Sequence, residues 1–388
     1  MPWVFSFFFS FVFFCLFFFS FFRKFDDEIC ERFFFFFLCL LPEVALSPNS
    51  NEVHIYKKEA GGWNLTSVLT EHDKLVTGID WAPNSNRIVT CSQDRNAYVW
   101  TWEAKENAWK PTLVILRINR AATQVKWSPK EDKFAVASGA KCISVCYFEK
   151  DNDWWVSKHI KKPIRSSVLS IDWHPNNVLI AAGSSDFKAR VFSGWVKGVD
   201  DKPGACSWGD KFPFGDVLGE FSSGGWVHDV AFSPDGESIA YVGHDSSVSI
   251  VTGSTGTPTV LNTAFLPFTK LLWVTGKSVV AAGHDNNPTL FSNAGSWKFV
   301  EKLDAAKSEK KDAGSSAMNK FKQMDTRGQE ADTDTVLKTQ HQNAISGITA
   351  HTGGRGAVSK FTTIGIDGKM ITWDVKSLEQ AISGLKIV

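Results

Sequence analysis

The sequence has no excess of either charge, because 42 lysines and arginines stand against 41 aspartates and glutamates in 388 residues. Proteins that bind nucleic acid through its phosphates usually carry a basic surplus, so we expect no nucleic-acid partner. One local basic cluster is present, and we interpret it as a solvated strand edge, because lysines also protect such edges. Its members are Lys158, His159, Lys161, Lys162 and Arg165.

Motifs for catalysis and metal binding are also missing. The sequence contains no Gly-x-Ser-x-Gly elbow, no Gly-x-x-x-x-Gly-Lys-Ser/Thr loop and no His-Glu-x-x-His helix. None of its 7 cysteines forms a Cys-x-x-Cys pair, which argues against a zinc ribbon or a thioredoxin-like site. We therefore predict a non-enzymatic binding platform with no catalytic residue, no metal, no cofactor and no small-molecule substrate.

The start of the chain differs from the rest in composition. Residues 1–41 contain 18 of the 32 phenylalanines, and residues 1–22 contain no charged side chain. This run is long enough for a membrane span or a signal sequence, but it lacks the basic start and the cleavage site of a signal. Phe, Ser, Leu and Cys share T-rich codons, so the composition favours a translated non-coding stretch over a membrane segment. We predict a Phe-rich low-complexity segment at 1–43 and one domain at 44–388.

One short phrase recurs along the remaining chain. An apolar residue, a polar or small residue, an aromatic residue, a further residue and a proline follow each other at 79–83, 125–129, 171–175 and 230–234. Self-similarity with a period of about 40–50 residues indicates a repeat architecture, in which each unit buries its apolar faces against its neighbours. Each unit contains about four strand-like segments separated by turns, which predicts an all-β fold, the β-propeller.

The number of units predicts seven blades. Six complete units lie between Val76 and Trp373, and Val53–Tyr56 is the third strand of an incomplete first unit. Two insertions interrupt the period, at about 193–225 and 304–340. The predicted architecture is a seven-bladed β-propeller with a short helical insertion between blades six and seven and an atypical Phe-rich start.

Two units carry the same four side chains at the same spacing. In both, a threonine precedes an aspartate by four residues, a tryptophan follows it by six, and a histidine lies upstream. WD repeats use such a set as a buried relay, which stabilises a blade only when every member has a partner. A Ser/Thr-His-Asp triad would use the same residue types, but the repetition favours the structural role. The predicted networks are His72, Thr90, Asp94 and Trp100 in the second unit and His341, Thr363, Asp367 and Trp373 in the seventh.

The insertion at 304–340 contains a short apolar stripe. Met318, Phe321 and Met324 recur at roughly helical spacing within a charged segment. A helix of this length is marginal alone in water, so the stripe needs a cover. The residues themselves leave two alternatives open, packing on the propeller and binding a partner.

Several repeats have a more specific wording than a generic WD repeat. The distinctive phrases are Asn51–Tyr56, Thr77–Pro83, Asp94–Trp100, Pro111–Ala122, Asp153–Lys158, His174–Leu179 and His341–Asn343. On these phrases the chain, from about Ser47 to Val388, resembles the WD-repeat subunit (subunit 1) of the actin-related protein 2/3 complex. The resemblance ends before Ser47, where the family has the first phrase of blade one, so the closure of that blade is left open.

The resemblance implies a WD-repeat β-propeller without a catalytic role, in a seven-subunit assembly that binds an actin filament and nucleates a branch. The implied partners are the other subunits of the complex, the actin filament and a nucleation-promoting factor, and the implied location is the cytoplasm, in the actin-rich cytoskeleton of the cell cortex. The family's equivalent insertion contacts actin or an activator, which favours a partner role for Met318, Phe321 and Met324.

Two alternative functions remain at this stage. One is a different WD-repeat scaffold, such as a substrate receptor of a ubiquitin ligase. The other is a membrane-anchored propeller, and it depends only on the Phe-rich start.

Overall fold

The computed structural model describes residues 37–40, 43–304, 337, 339–381 and 387. Seven sheets follow one another along these residues, and within each sheet the strands are hydrogen-bonded in chain order. Apolar clusters join each sheet to the next, so the sheets are the blades of a propeller. The prediction of a seven-bladed, all-β propeller is confirmed.

Each of the first three blades has four antiparallel strands. In chain order these are β1 Phe37–Leu40, β2 Glu43–Leu46, β3 Val53–Glu59, β4 Gly62–Leu69, β5 Val76–Ala82, β6 Arg87–Ser92, β7 Asn96–Glu103, β8 Ala108–Ile115, β9 Ala122–Trp127, β10 Lys133–Ser138, β11 Cys142–Glu149 and β12 Trp154–Ile160.

Blades four to six repeat this pattern, and blade seven has three strands and a helix within the described residues. These elements are β13 Val168–Trp173, β14 Leu179–Ser184, β15 Lys188–Ser193, β16 Val217–Ser222, β17 Val227–Phe232, β18 Ser238–Gly243, β19 Ser247–Thr252, β20 Thr259–Asn262, β21 Phe268–Thr275, β22 Ser278–Gly283, β23 Thr289–Asn293, β24 Trp297–Lys302, β25 Ile345–Thr352, β26 Lys360–Gly365, β27 Met370–Asp374 and α1 Val375–Ala381.

The core lies between the blades rather than within one of them. The second strand of a blade is covered on both faces, and every residue of β10, β14 and β22 is buried. Their sequences are accordingly apolar on both faces, with small residues where the next blade approaches. A Cβ on Gly183 would lie 2.8 Å from Val227 Cγ1, and one on Gly283 would lie 2.3 Å from the carbonyl oxygen of Pro267.

The first blade is more complete than the sequence suggested. The expected third strand is β3, and the expectation of a mere fragment is wrong, because β1 and β2 precede it in one four-stranded sheet. β1 contacts the innermost strands of its two neighbours, β5 and β25. Val44 of blade one and Ile364 of blade seven are buried in one cluster, so apolar packing closes the ring here. β1 lies inside the range 1–43, and the domain boundary at 43 stays a prediction.

The two insertions differ in how far the structure describes them. The range 193–225 includes β16, the fourth strand of blade four, so the added residues are those between β15 and β16. Most of the range 304–340, with Met318, Phe321, Met324 and the expected short helix, lies outside the described residues. Among the residues that are described, no helix combines the length and the apolar composition needed to cross a bilayer.

Candidate functional site

The structure brings the four side chains of the first predicted network together in blade two. His72 lies in the connection before β5, Thr90 in β6, Asp94 in the following turn and Trp100 in β7. His72 Nδ1 lies 2.7 Å from Asp94 Oδ2, and its Nε2 lies 2.8 Å from Thr90 Oγ1. The indole N–H of Trp100 donates to Thr90 Oγ1 at 3.0 Å. With Nδ1 protonated, each donor in the relay meets an acceptor, from Trp100 through Thr90 and His72 to Asp94.

Blade seven repeats this arrangement. His341 Nε2 lies 2.8 Å from Thr363 Oγ1, and its Nδ1 lies 3.2 Å from Asp367 Oδ1. Trp373 donates its indole N–H to Thr363 Oγ1 at 2.8 Å. The two networks therefore differ mainly in the length of the contact between histidine and aspartate.

Both aspartates are held in the ionised form. Burial alone would raise the pKa of Asp94, but hydrogen bonds from His72 and from two backbone N–H groups outweigh it and hold the pKa below its ordinary value. Burial would likewise raise the pKa of Asp367. Hydrogen bonds from His341 and from the backbone N–H groups of Gln342 and Lys369 outweigh this effect, so the pKa is lowered. The carboxylates thus join the connection before the first strand to the turn after the second.

The order threonine, histidine, aspartate is also that of a nucleophilic triad, but access to solvent separates the two cases. Thr90 and Thr363 are each 0% exposed, and a tryptophan indole already donates to each hydroxyl oxygen. A nucleophile must reach its substrate, so these hydroxyls are placed for structure and not for catalysis.

Three other blades keep the turn aspartate but change its partner. Asp186, Asp245 and Asp285 each accept a backbone N–H from the preceding connection, at 3.0, 2.9 and 3.3 Å. In place of the histidine, Arg190 binds Asp186 at 2.9 Å and Lys302 binds Asp285 at 2.9 Å. The aspartate therefore performs the same backbone task in five blades, and the histidine is one of several ways to satisfy it.

The central channel contains charged residues that were not predicted as site residues from the sequence. A cavity of about 420 Å³ lies along the innermost strands. Asp80 accepts the backbone N–H of Trp127 at 2.6 Å, and Asp172 accepts that of Phe232 at 2.8 Å. Asp229 accepts that of Leu271 at 3.0 Å. Innermost strands leave backbone groups unpaired, and a carboxylate of the preceding blade satisfies some of them.

The signal for these channel residues was present in the repeat phrase. Asp80, Lys126 and Asp172 each directly precede the phrase's tryptophan, so alternation along the strand places them opposite the packed indole. Burial disfavours the ammonium form of Lys126, but Asp80, Asp172 and Asp229 outweigh it and raise its pKa. The acidic and basic side chains of the channel wall therefore compensate each other's charge, and their hydrogen bonds connect neighbouring blades.

Arg355 enters the channel from the loop between β25 and β26. Its guanidinium donates to Asp172 Oδ2 at 2.8 Å and to the carbonyl oxygens of Trp173 and Phe232 at 2.9 and 3.2 Å. One side chain of blade seven thereby ties blades four and five. Nothing in the local sequence around Arg355 predicts this contact.

The insertion between β15 and β16 is anchored by a buried ion pair. Lys133 Nζ binds Asp200, and the two side chains are 0% and 2% exposed. Asp200 also accepts the backbone N–H of Val196 at 2.7 Å and the amide of Asn177 at 3.0 Å. Burial lowers the pKa of Lys133, while Asp200 opposes that shift. This segment is thus a packed part of the propeller.

His244 directly precedes the turn aspartate of blade five and lies among other ring side chains. His244 Nδ1 lies 2.9 Å from His228 Nε2, and the His244 ring packs on Trp226 at 5.6 Å. Within the ranges that the structure covers, no three His, Cys, Asp or Glu side chains are grouped for a metal ion.

The sequence is similar to a known repeat family and to several known proteins. The family model "WD domain, G-beta repeat" matches residues 63–101, 155–193 and 215–252. Actin-related protein 2/3 complex subunit 1A-A of Xenopus laevis is 56% identical over 354 residues, 90% of this chain and 95% of the relative. Subunit 1 of Schizosaccharomyces pombe is 46% identical over 353 residues, covering 85% and 93%. Subunit 1A of Arabidopsis thaliana is 42% identical over 355 residues, covering 88% and 93%.

These matches span the propeller and nearly the full length of the relatives. They confirm the resemblance found in the repeat phrases and the prediction of a non-enzymatic WD-repeat subunit. The chain belongs to the family of subunit 1 of the actin-related protein 2/3 complex.

Proposed function

We propose that this chain is the propeller subunit of an actin-related protein 2/3 complex, in which it binds the other subunits and supports the nucleation of branched actin filaments. The observation that carries the proposal is the 42–56% identity to subunit 1 proteins over about nine-tenths of the chain. A ring of sheets tied by buried clusters and channel charges is a rigid platform for such a scaffolding role.

The insertion after Asp304 is the proposed contact with the actin filament or with a nucleation-promoting factor. Met318, Phe321 and Met324 form its apolar stripe, and their roughly helical spacing supports a partner site. The insertion starts and ends at one point of the propeller, because Asp304 Oδ2 accepts the backbone N–H of Gln340 at 2.5 Å. An insertion whose two ends are held together on the propeller is suited to binding a partner.

The proposed location follows from the proposed assembly. A subunit of an actin-nucleating complex acts in the cytoplasm, within the actin cytoskeleton, and we place it at the actin-rich cortex.

Affinity purification of the chain from its own cells tests the assembly. We expect recovery of two actin-related proteins and four small subunits in equal amounts with the chain. Recovery of a ubiquitin-ligase adaptor in their place would overturn the proposal in favour of another WD-repeat scaffold. The purified assembly should then increase the number of actin branches in an assay with filaments and an activator, and an inactive assembly would remove the nucleation part.

A further inference from the structure

The connections and turns at one end of the strands form a single surface, which we call the loop face. In an antiparallel blade the first strand starts where the second ends. Ala122 pairs with Ser138 in blade three, and Val168 pairs with Ser184 in blade four. The connection before the first strand and the turn after the second therefore emerge together in every blade.

In blades three and four the loop face is strongly basic. Its segments are 116–121, 139–141, 161–167 and 185–187, and Asp186 is their only carboxylate. Six exposed cations lie on them outside any ion pair with a described carboxylate, and one of these, Arg117, donates to the carbonyl oxygen of Ser157, which leaves five. We call these five the basic loop patch: Arg120, Lys141, Lys161, Lys162 and Arg165.

The patch is continuous across the two blades. The backbone N–H of Gly139 donates to the carbonyl of Ala121 at 2.9 Å. A Cβ on Gly139 would lie 3.4 Å from Arg120 Cβ and 3.7 Å from Ser167 Oγ. The backbone N–H of Arg165 donates to Asp186 Oδ2 at 3.0 Å, which joins the connection to the next turn.

Within the four segments of blades three and four, the single carboxylate does not neutralise the patch. Asp186 is 8% exposed at its side chain and binds Arg190 at 2.9 Å. The whole chain has a formal net charge of only +1, so the patch is a local concentration of charge. The basic cluster interpreted from sequence as a strand edge divides in two, because Lys158 and His159 lie on β12 while Lys161, Lys162 and Arg165 lie on the loop face.

His159 and Lys158 are already engaged on that strand. His159 Nε2 lies 2.8 Å from the carbonyl oxygen of Leu116, and Lys158 Nζ lies 4.9 Å from the centre of the Phe214 ring. These two residues are therefore left out of the patch.

Two exposed aromatic side chains border the patch. Phe187 is 46% exposed and Trp226 is 49% exposed, and the backbone N–H of Ser223 donates to the carbonyl of Phe187 at 2.9 Å. Phe187 has a φ of 67°, at the turn position where other blades place Asn49, Arg95, Lys141, Ser246, Asn286 and Gly368. A bulky side chain in the left-handed region is strained, and strain of this kind clusters where a residue serves a purpose outside the fold.

We propose that the loop face of blades three and four docks on the surface of an anionic lipid bilayer. The basic loop patch would attract the negative headgroups, and Phe187 and Trp226 would enter the headgroup region. Clusters of four to eight lysines and arginines near a membrane favour anionic lipids, and aromatic rings favour the interface. A soluble acidic peptide would account for the cations alone and leave the two exposed aromatic rings without a role.

Vesicle sedimentation of the complex that contains the full chain tests this proposal. The probes are vesicles of phosphatidylcholine alone and vesicles that also contain phosphatidylserine and phosphatidylinositol bisphosphate. We expect binding to the anionic vesicles only. The variant Lys161→Gln/Lys162→Gln/Arg165→Gln should bind them about 100-fold more weakly, since each lost charge near the surface costs about a factor of five.

The matched control removes three exposed cations from the opposite end of the strands. Lys105→Gln/Lys150→Gln/Lys277→Gln has the same change in net charge and should bind like the unaltered complex. Phe187→Gly removes the ring and the backbone strain together, so it should weaken vesicle binding without lowering the unfolding temperature.

Three results would overturn the proposal. Equal losses in the patch and control variants would mean that net charge alone attracts the vesicles. No binding to anionic vesicles would remove the bilayer as a ligand. Binding of a polyglutamate peptide that the patch variant loses, with no vesicle binding, would assign the face to an acidic protein partner. Branching in solution without lipid tests the proposed function separately.

Discussion

Arg355 and Asp172 form an ion pair of 2.8 Å although 183 residues separate them. Arg355 belongs to a loop of blade seven. Asp172 is the residue before the last in β13, the innermost strand of blade four. The same aspartate accepts the backbone N–H of Phe232 from blade five. One carboxylate thus connects three blades across the channel, and the ring is braced across its centre as well as around its circumference.

A double-mutant cycle measures the interaction free energy between Arg355 and Asp172. Arg355→Met and Asp172→Asn should each destabilise the protein, and the double variant should lose less than the sum, with a coupling of about 0.5–3 kcal/mol. The measurement is the free energy of unfolding by urea for the four proteins of the cycle. Additive losses would show that the ion pair carries no interaction of its own.

Removing the threonine of either relay should leave two buried polar groups without a partner. Thr90→Val conserves shape but deprives His72 Nε2 and the Trp100 indole of their hydrogen bonds, which should cost about 2–4 kcal/mol. Thr363→Val should cost a similar amount in blade seven. The control is Thr112→Val on an exposed strand, and equal unfolding midpoints for Thr90→Val and this control would contradict the relay's role.

The aspartates of the two relays, Asp94 and Asp367, should make the stability of the fold depend on pH in the acid range. Their pKa values are lower in the folded chain than the ordinary value of 3.8. Their contribution is therefore present above about pH 4 and is lost as the pH falls through the lower folded values. The thermal unfolding temperature of Asp94→Asn should fall less steeply below pH 4 than that of the unaltered chain. The exposed Asp151→Asn is the control, and an identical slope in all three proteins would refute the linkage.

The two neighbouring ion pairs of Lys130 and Lys133 should differ strongly in their contribution to the free energy of unfolding. Lys133 and Asp200 are 0% and 2% exposed, whereas Lys130 and Asp201 are 57% and 92% exposed and lie 3.0 Å apart. Lys133→Met leaves a buried carboxylate and should cost about 3–5 kcal/mol. Lys130→Met should cost less than about 1 kcal/mol. The double variant Lys133→Met/Asp200→Asn should recover part of the lost stability. Equal losses of stability for Lys130→Met and Lys133→Met would contradict the proposed effect of burial.

The proposed partner contact of the insertion is tested by Met318→Ala/Phe321→Ala. The variant should assemble into the complex normally, and branch formation should fall by about tenfold or more, because two apolar anchors are lost. Asn319→Ala/Gln323→Ala changes polar residues of the same segment and should branch normally. Unchanged branching by the first variant would refute the partner role.

The sequence could predict the blades because their information is local. Three features depend on neighbours a few residues away. They are the repeat phrase, the run of small and apolar residues in β14 and β22, and the turn aspartate of five blades. The relays of His72 and His341 were predictable for the same reason, since their spacing repeats within one blade. The first blade was underestimated because β1 and β2 lack the repeat phrase, and their place depends on pairing with β3.

By itself, the sequence determined the propeller, the number of blades, the two polar relays and the family, since each is written within one repeat unit or its wording. Only the tertiary structure decided that Arg355 reaches Asp172, that Lys133 is buried against Asp200 and that the cations of two blades share one surface. The physical reason is ring closure. It brings together residues that are distant in the chain, and no periodic pattern records which of them will meet.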